Sequence, residues 1–287
     1  MASTKEVRFD IIYSPQDITE RTVLPQYGEE PGYFWNRLQS NPGFDCPESL
    51  LLVWPIFGPL TDIAVVDSTA APGEAFKTRQ PFVTENPDGS KTYHDIASLP
   101  ATYPLLSHIT VSVDMLHLFL EVSDRMTELH DFNWAEVDKA KLTGVTKFYC
   151  QDKECKHQPY LYMTEEPKLS IKAQEKPYVT FGEAVCTIHD WLLSLQEEIL
   201  IAETALWEGD NWGCQTPLLP RNTKFWASGV WGTEVFRQGG VGSGEQMPWN
   251  PETEEEWEER IALAWKRRED LRARGNSGYK PGMIYIK

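Results

Sequence analysis

Two pairs of metal-ligating side chains carry the most chemistry in this chain: Cys150-x4-Cys155 and Cys186-x2-His189, with about thirty residues between the pairs. Zinc takes four thiolate or imidazole ligands in a tetrahedron. Such ligands tend to come in close-spaced pairs, one pair from a tight turn and one from a helix turn. Cys150-Gln-Asp-Lys-Glu-Cys155 reads as a polar turn between strands, and Cys186 and His189 become surface neighbours if their segment is helical. Together the four could close a structural zinc site, with His157 as a spare ligand. Without Cys186 or His189 the site would open to water and to catalysis. In the simpler alternative, Cys150 and Cys155 flank a solvated turn and Cys186 is a packed thiol.

Acid–base chemistry has two candidates, His94-Asp95 and His130-Asp131. A carboxylate that orients an imidazole makes it a general base, although adjacency in sequence does not by itself bring the side chains together, and both pairs also suit turns or helix caps. His108 and His117 fall in apolar segments and are expected to be satisfied and partly buried. His117 would meet Glu121 only if that stretch is helical.

Nucleophile and nucleotide signatures are missing. Ser243 in Gly240-Val241-Gly242-Ser243-Gly244 is no nucleophile elbow, and no Lys-Ser/Thr follows to make a phosphate loop. Cys214 could serve as a nucleophile if a histidine approached it, but suits a packed thiol better. Trp212, Trp226 and Trp231 stand close in sequence to Phe225, Phe236, Arg221, Lys224 and Glu234. They could line a small-molecule pocket, or fill a core where regular structure is sparse.

The elements that must position these groups follow from periodicity. Residues 6–13 and 108–113 alternate as strands. Val83-Thr84 and Lys91-Thr92-Tyr93 flank Asn86-Pro87-Asp88-Gly89, a hairpin with its turn chemistry in place. Residues 115–126 could extend the preceding strand or turn helical. Strands are expected over 145–149, 160–163 and 169–171, and a short helix over 134–142. The strongest helix runs over 180–207: Thr180 and Glu183 form a capping box, and Phe181, Val185, Ile188, Leu192, Leu195 and Ile199 share one face. A second helix runs over 251–274, acidic at its start and basic at its end. Its apolar line is Trp257, Ile261 and Trp265, and its Lys266–Arg274 end matches the helix dipole. A final strand is expected near 283–286.

These elements predict an α+β fold: a mainly antiparallel sheet packed by one long central helix, with the C-terminal helix docked outside. The organisation expected is a single domain over 1–287, a hairpin module inserted at 127–176 and a flexible glycine-rich connector at 239–250.

Composition narrows the partners. The 287 residues are 41% hydrophobic with a formal net charge of -16. So acidic a surface disfavours nucleic acid and anionic membranes, leaving proteins or small molecules as expected partners. No apolar run reaches the roughly 18 residues of a membrane-spanning helix, and the first residues do not resemble a secretory signal. Five cysteines, an odd count, suggest free thiols and an intracellular, cytoplasmic location.

Four segments, Leu99-Pro100-Ala101-Thr102-Tyr103-Pro104-Leu105, Ile109-Thr110-Val111, Val179-Thr180-Phe181-Gly182-Glu183 and Trp231-Gly232, resemble a family of uncharacterised fungal domains across roughly residues 50–236. The resemblance implies a fungal origin, places about fifty residues between strand and helix as an insertion, and carries no activity. Function is therefore expected from the residues alone: an acidic intracellular binding protein, with zinc as its one candidate cofactor. The alternative is a small-molecule hydrolase, lyase or isomerase using a His/carboxylate pair in an aromatic pocket.

Overall fold

The computed structural model describes residues 7–9, 46–69, 74, 77–102, 107–129, 145–148, 154, 160–163, 165–207, 219–228, 232–237, 254–275 and 284–286. Helices and mainly antiparallel sheets make it an α+β structure.

The first strand, β1 (Val7–Phe9), is followed by β2 (Leu52–Val53), β3 (Ala64–Val65), β4 (Gln80–Pro81), β5 (Val83–Glu85), β6 (Lys91–Tyr93) and β7 (His108–Val113). In β7 the sequence alternates and so does burial: Ile109, Val111 and Val113 face the core. At Asp114 the period changes. Met115, Leu116 and Phe119 are buried at helical spacing, and Asp114 places a negative charge at the helix start, so α1 (Asp114–Leu129) follows the strand without a loop. The ambiguity over residues 115–126 is thus resolved as helix.

Beyond α1 come β8 (Val145–Phe148), β9 (Tyr160–Met163) and β10 (Leu169–Lys172), then α2 (Phe181–Ser194), α3 (Gln196–Trp207), β11 (Phe225–Ser228), β12 (Gly232–Arg237), α4 (Glu254–Gly275) and β13 (Ile284–Ile286). The largest sheet has the order β10-β7-β12-β11. Its β7–β12 pairing is parallel, while the other two are antiparallel. β8 and β9 pair antiparallel around the segment that holds Cys150 and Cys155, and β10, at the end of the same stretch, joins β7 in the main sheet. β1 and β13 also pair antiparallel, which makes a strand of the C-terminal segment as its pattern predicts.

A smaller sheet, β2-β3-β4, is stitched to the large one through residues 54–56. Ala227 N–H donates to the Trp54 carbonyl at 2.8 Å, and Ile56 N–H to the Phe225 carbonyl at 3.1 Å. The β5–β6 hairpin turns at Gly89, whose φ of +82° is the left-handed conformation glycine allows. Asp88 secures the turn by accepting from both the backbone N–H and the hydroxyl of Ser90.

α2 begins as its sequence predicts. Thr180 Oγ1 accepts from Glu183 N–H at 3.2 Å, and Glu183 Oε2 accepts from Thr180 N–H at 2.7 Å. Just before it the chain pairs with the run ending at Ala101: Phe181 N–H donates to the Leu99 carbonyl at 2.7 Å and Ala101 N–H to the Val179 carbonyl at 2.9 Å. Gly182 permits this approach, since a Cβ there would lie 3.0 Å from Ala97 Cβ and 3.1 Å from its carbonyl oxygen.

One expectation fails here. The single long helix over 180–207 is two helices, broken at Leu195, where φ is -98° and ψ is 14°. Neither Gly nor Pro marks the break. Ser194 Oγ instead donates to the Trp191 carbonyl at 2.6 Å, and the Leu195 N–H is shared between the Trp191 and Leu192 carbonyls. The Trp191 carbonyl thus accepts from both the Ser194 hydroxyl and the Leu195 N–H at the end of α2. α2 is amphipathic, with Phe181, Ala184, Val185, Ile188 and Leu192 in the core. In α3 every residue from Ile199 to Thr204 is buried.

α4 departs from its expected seam. Trp257 and Ala264 are fully buried and Ile261 is half-buried, but Trp265 is 38% exposed. The missing contacts come from arginines. Arg260 Nε donates to the Leu50 carbonyl at 2.8 Å while its guanidinium covers the Trp257 ring. Arg268 forms a double contact with Glu48 Oε1, its Nε and its second nitrogen each at 2.8 Å, and Cys46 Sγ donates to Glu48 Oε2 at 2.8 Å. The basic end is therefore more than dipole chemistry. Arg268 neutralises a carboxylate whose side chain is only 5% exposed.

Removing one partner of so buried a pair costs about 3–5 kcal/mol. Arg268→Ala should lower unfolding stability by that order in a denaturant titration, and the double variant Arg268→Met/Glu48→Leu should recover most of it. Equal losses in the single and double variants would show that the pair does not anchor α4.

Candidate functional site

The chemistry-bearing residues divide into those committed to the fold and those left for a ligand. His189 belongs to the first group. It sits on α2, 1% exposed, between two distant parts of the chain. The Trp54 indole N–H donates to His189 Nδ1 at 3.2 Å, and His189 Nε2 lies 2.9 Å from the Gly58 carbonyl. Only one neutral tautomer satisfies both contacts: Nδ1 accepts and Nε2–H donates. Burial pushes the imidazole below its ordinary pKa, against the opposing pull of the Gly58 carbonyl, Asp190 and Asp62. A proton added at Nδ1 would also meet the indole N–H, a donor facing a donor.

This arrangement does not fit a metal ligand, because a zinc ion bound by His189 would have to displace one of its two hydrogen bonds. Cys186 has a different neighbour again. Burial pushes the pKa of its half-buried thiol up, against the neighbouring Tyr93 hydroxyl on β6, with Asp190 adding to the rise and Lys91 opposing it. The i, i+3 pair on α2 is thus divided between separate partners. Cys150, Cys155 and His157 lie outside the described residues. Among the described residues no group of three or more His, Cys, Asp and Glu is arranged to hold a metal.

His94 caps the short 3-10 turn Asp95–Ser98: its Nδ1 accepts from the Ile96 N–H at 3.3 Å. Burial lowers its pKa, while Asp95 and Asp67 act in the opposite sense. The Asp95 carbonyl accepts from Ser98 Oγ in the same turn. His94 and Asp95 therefore serve a cap rather than meeting as base and orienter. His130 and Asp131 lie outside the described residues, as do Trp212, Trp231, Cys214, Ser243, the connector at 239–250 and the helix expected over 134–142. Trp226 is described, and it packs with Val53, Val66 and Trp257 in a small core cluster, 9% exposed. Phe225 is likewise core, so these two members of the aromatic group fill space.

His117 is where histidine and carboxylates do meet. With residues 114–129 helical, its Nε2 stands 3.4 Å from Glu121 Oε1, and its Nδ1 stands 3.6 Å from Glu166 Oε1. Lys168 Nζ approaches the other Glu166 oxygen at 3.3 Å. Asp114 adjoins the group, its carboxyl pushed up by burial and by Glu166 and pulled down by His117. The Glu121 spacing is readable once the helix is assigned, whereas Glu166 is brought in by tertiary packing. The group is open to solvent: His117 is 43% exposed. Both His117 and His108, which is exposed, are more accessible than their apolar surroundings predict.

A cleft of about 330 Å³ opens at the break between α2 and α3. It is lined by Ser194, Gln196, Glu197, Leu200, Leu219 and Arg221. Two hydrogen bonds hold its far wall: Gln196 Nε2 donates to the Arg221 carbonyl at 2.9 Å, and Leu219 N–H donates to Thr204 Oγ1 at 3.3 Å. Leu200 is buried and Leu219 half-buried, while Ser194, Glu197 and Arg221 are exposed, giving an apolar floor and a polar rim. An unbroken helix over 180–207 hides this concavity from sequence reasoning.

No protein-family model matches the chain, and no match was found among curated proteins or solved structures. No helix among the described residues is long and apolar enough to cross a membrane.

The His189 geometry sets a pH dependence. The unfolded chain takes up a proton near the ordinary histidine value of about 6.5, while the folded state resists it to lower pH. Stability is therefore complete above that value and falls as pH drops toward the depressed folded value, with His94 adding in the same direction. His189→Gln, which can still accept from Trp54 and donate to Gly58, should flatten part of the loss of melting temperature between about pH 7.5 and 5.5. His189→Leu orphans both partners and should cost about 2–4 kcal/mol at neutral pH. Identical pH slopes in wild type and His189→Gln would refute this account.

Proposed function

We propose that the protein is an acidic intracellular binding protein whose ligand enters the cleft at the α2–α3 break. The observation that carries this reading is the cleft itself: about 330 Å³, with Leu200 and Leu219 as floor and Ser194, Gln196, Glu197 and Arg221 around them. That volume falls at the lower end of the roughly 300–1,000 Å³ typical of small-molecule sites, and its lining sets two leucines among four polar side chains. The free thiols Cys46 and Cys186, within an odd total of five cysteines, suit a reducing compartment. His189 and His94 are engaged in holding the fold, which favours binding over acid–base catalysis at those residues.

A fragment library screened by methyl-detected NMR should repeatedly perturb the Leu200 and Leu219 methyl signals. Leu219→Asp, at the half-buried floor, should remove the response at Leu200, with some loss of melting temperature because Leu219 packs against the core. A screen in which no hit moves either methyl would refute the assignment.

A further inference from the structure

We infer that the α2–α3 cleft takes a small zwitterion with an aliphatic tail, of the class of a free branched-chain α-amino acid; this rests on the binding reading above and assigns its ligand. The rim carries one carboxylate, Glu197, and one guanidinium, Arg221. Neither side chain has a hydrogen bond or ion pair among the described residues, and they do not pair with each other. A concavity lined by one exposed carboxylate and one exposed guanidinium that do not pair with each other suits a ligand that carries both charges. A plain anion would face Glu197, and a plain amine would leave Arg221 unmatched.

The neutral groups sharpen the assignment. Gln196 Nε2 is committed to the Arg221 carbonyl, so its Oε1 remains an acceptor, and Ser194 donates its hydroxyl hydrogen to the Trp191 carbonyl, leaving its oxygen lone pairs. With Glu197 these give three acceptors on the α2–α3 side, suited to the three hydrogens of a primary ammonium. Arg221, which lines the cleft from the segment after Leu219, has a planar fork that suits a carboxylate. Leu200 and Leu219 lie beneath and offer an apolar surface to an aliphatic side chain. The volume accommodates a single amino acid and is small for a nucleotide.

The test titrates the full chain with L-leucine, with 4-methylpentanoate, which lacks the ammonium, and with 3-methylbutylamine, which lacks the carboxylate. Methyl-detected NMR and calorimetry supply the readouts. Leucine should saturate the Leu200 and Leu219 signals, and each half-ligand should bind roughly tenfold or more weakly, the loss expected for one charge-assisted contact. Arg221→Ala should bring leucine down to the amine, and Glu197→Gln should bring it down to the acid. Both positions are exposed, so melting temperatures should stay near wild type. Leucine binding that is absent, or unchanged in both variants, overturns the inference. If fragments of other chemistry still move the two methyls, the binding reading stands and only the ligand class falls. If nothing moves them, both fall.

Discussion

The hydrogen bond from Trp54 to His189 is the contact on which the rest of the architecture depends. Trp54 lies where the small sheet meets the large one: its carbonyl accepts from Ala227 in β11, and its fully buried indole reaches α2. His189 passes the connection on to Gly58 through its other nitrogen. One imidazole thus fixes a helix, a strand crossing and the loop beyond it. A buried polar group is stable only when every donor and acceptor is matched, and here the match selects a single tautomer. The same requirement gives the core its sensitivity to protonation.

α4 is held by a different balance. Its sequence is too polar for an ordinary core-facing helix, yet Trp257 is completely buried. Arg260 and Arg79 lie over the faces of that ring, and Arg268 covers Trp265 while gripping Glu48. Guanidinium groups are weakly hydrated and planar, so they can stack on indoles and bind a carboxylate at modest desolvation cost. A helix with few apolar residues therefore docks through its cations.

Much of the local structure was legible from residue types. The alternation in β7, the Asp88-Gly89 turn, the Thr180/Glu183 capping box and the buried face of α2 all follow patterns in which the cause lies within a few residues. What could not be read has non-local causes. The break at Leu195 carries no Gly or Pro, and the hydrophobic spacing continues across it. His189 has the spacing of a metal ligand beside Cys186, but its partners are Trp54 and Gly58, far away in sequence. The role of Arg268 depends on Glu48, near the opposite end of the chain. The cleft is lined from both sides of that break and by Leu219 and Arg221, which no local pattern brings there.

The parallel contact between β7 and β12 bears on how the chain is made. Val113 and Thr233 are neighbours in the sheet although the whole middle of the sequence separates them. Bringing such distant strands together costs loop-closure entropy before any contact repays it. During synthesis, β7 and its attached helix emerge long before the strand that covers their edge. Until then that edge is exposed to mispairing, and β10, which arrives earlier on the opposite side, can protect only one flank.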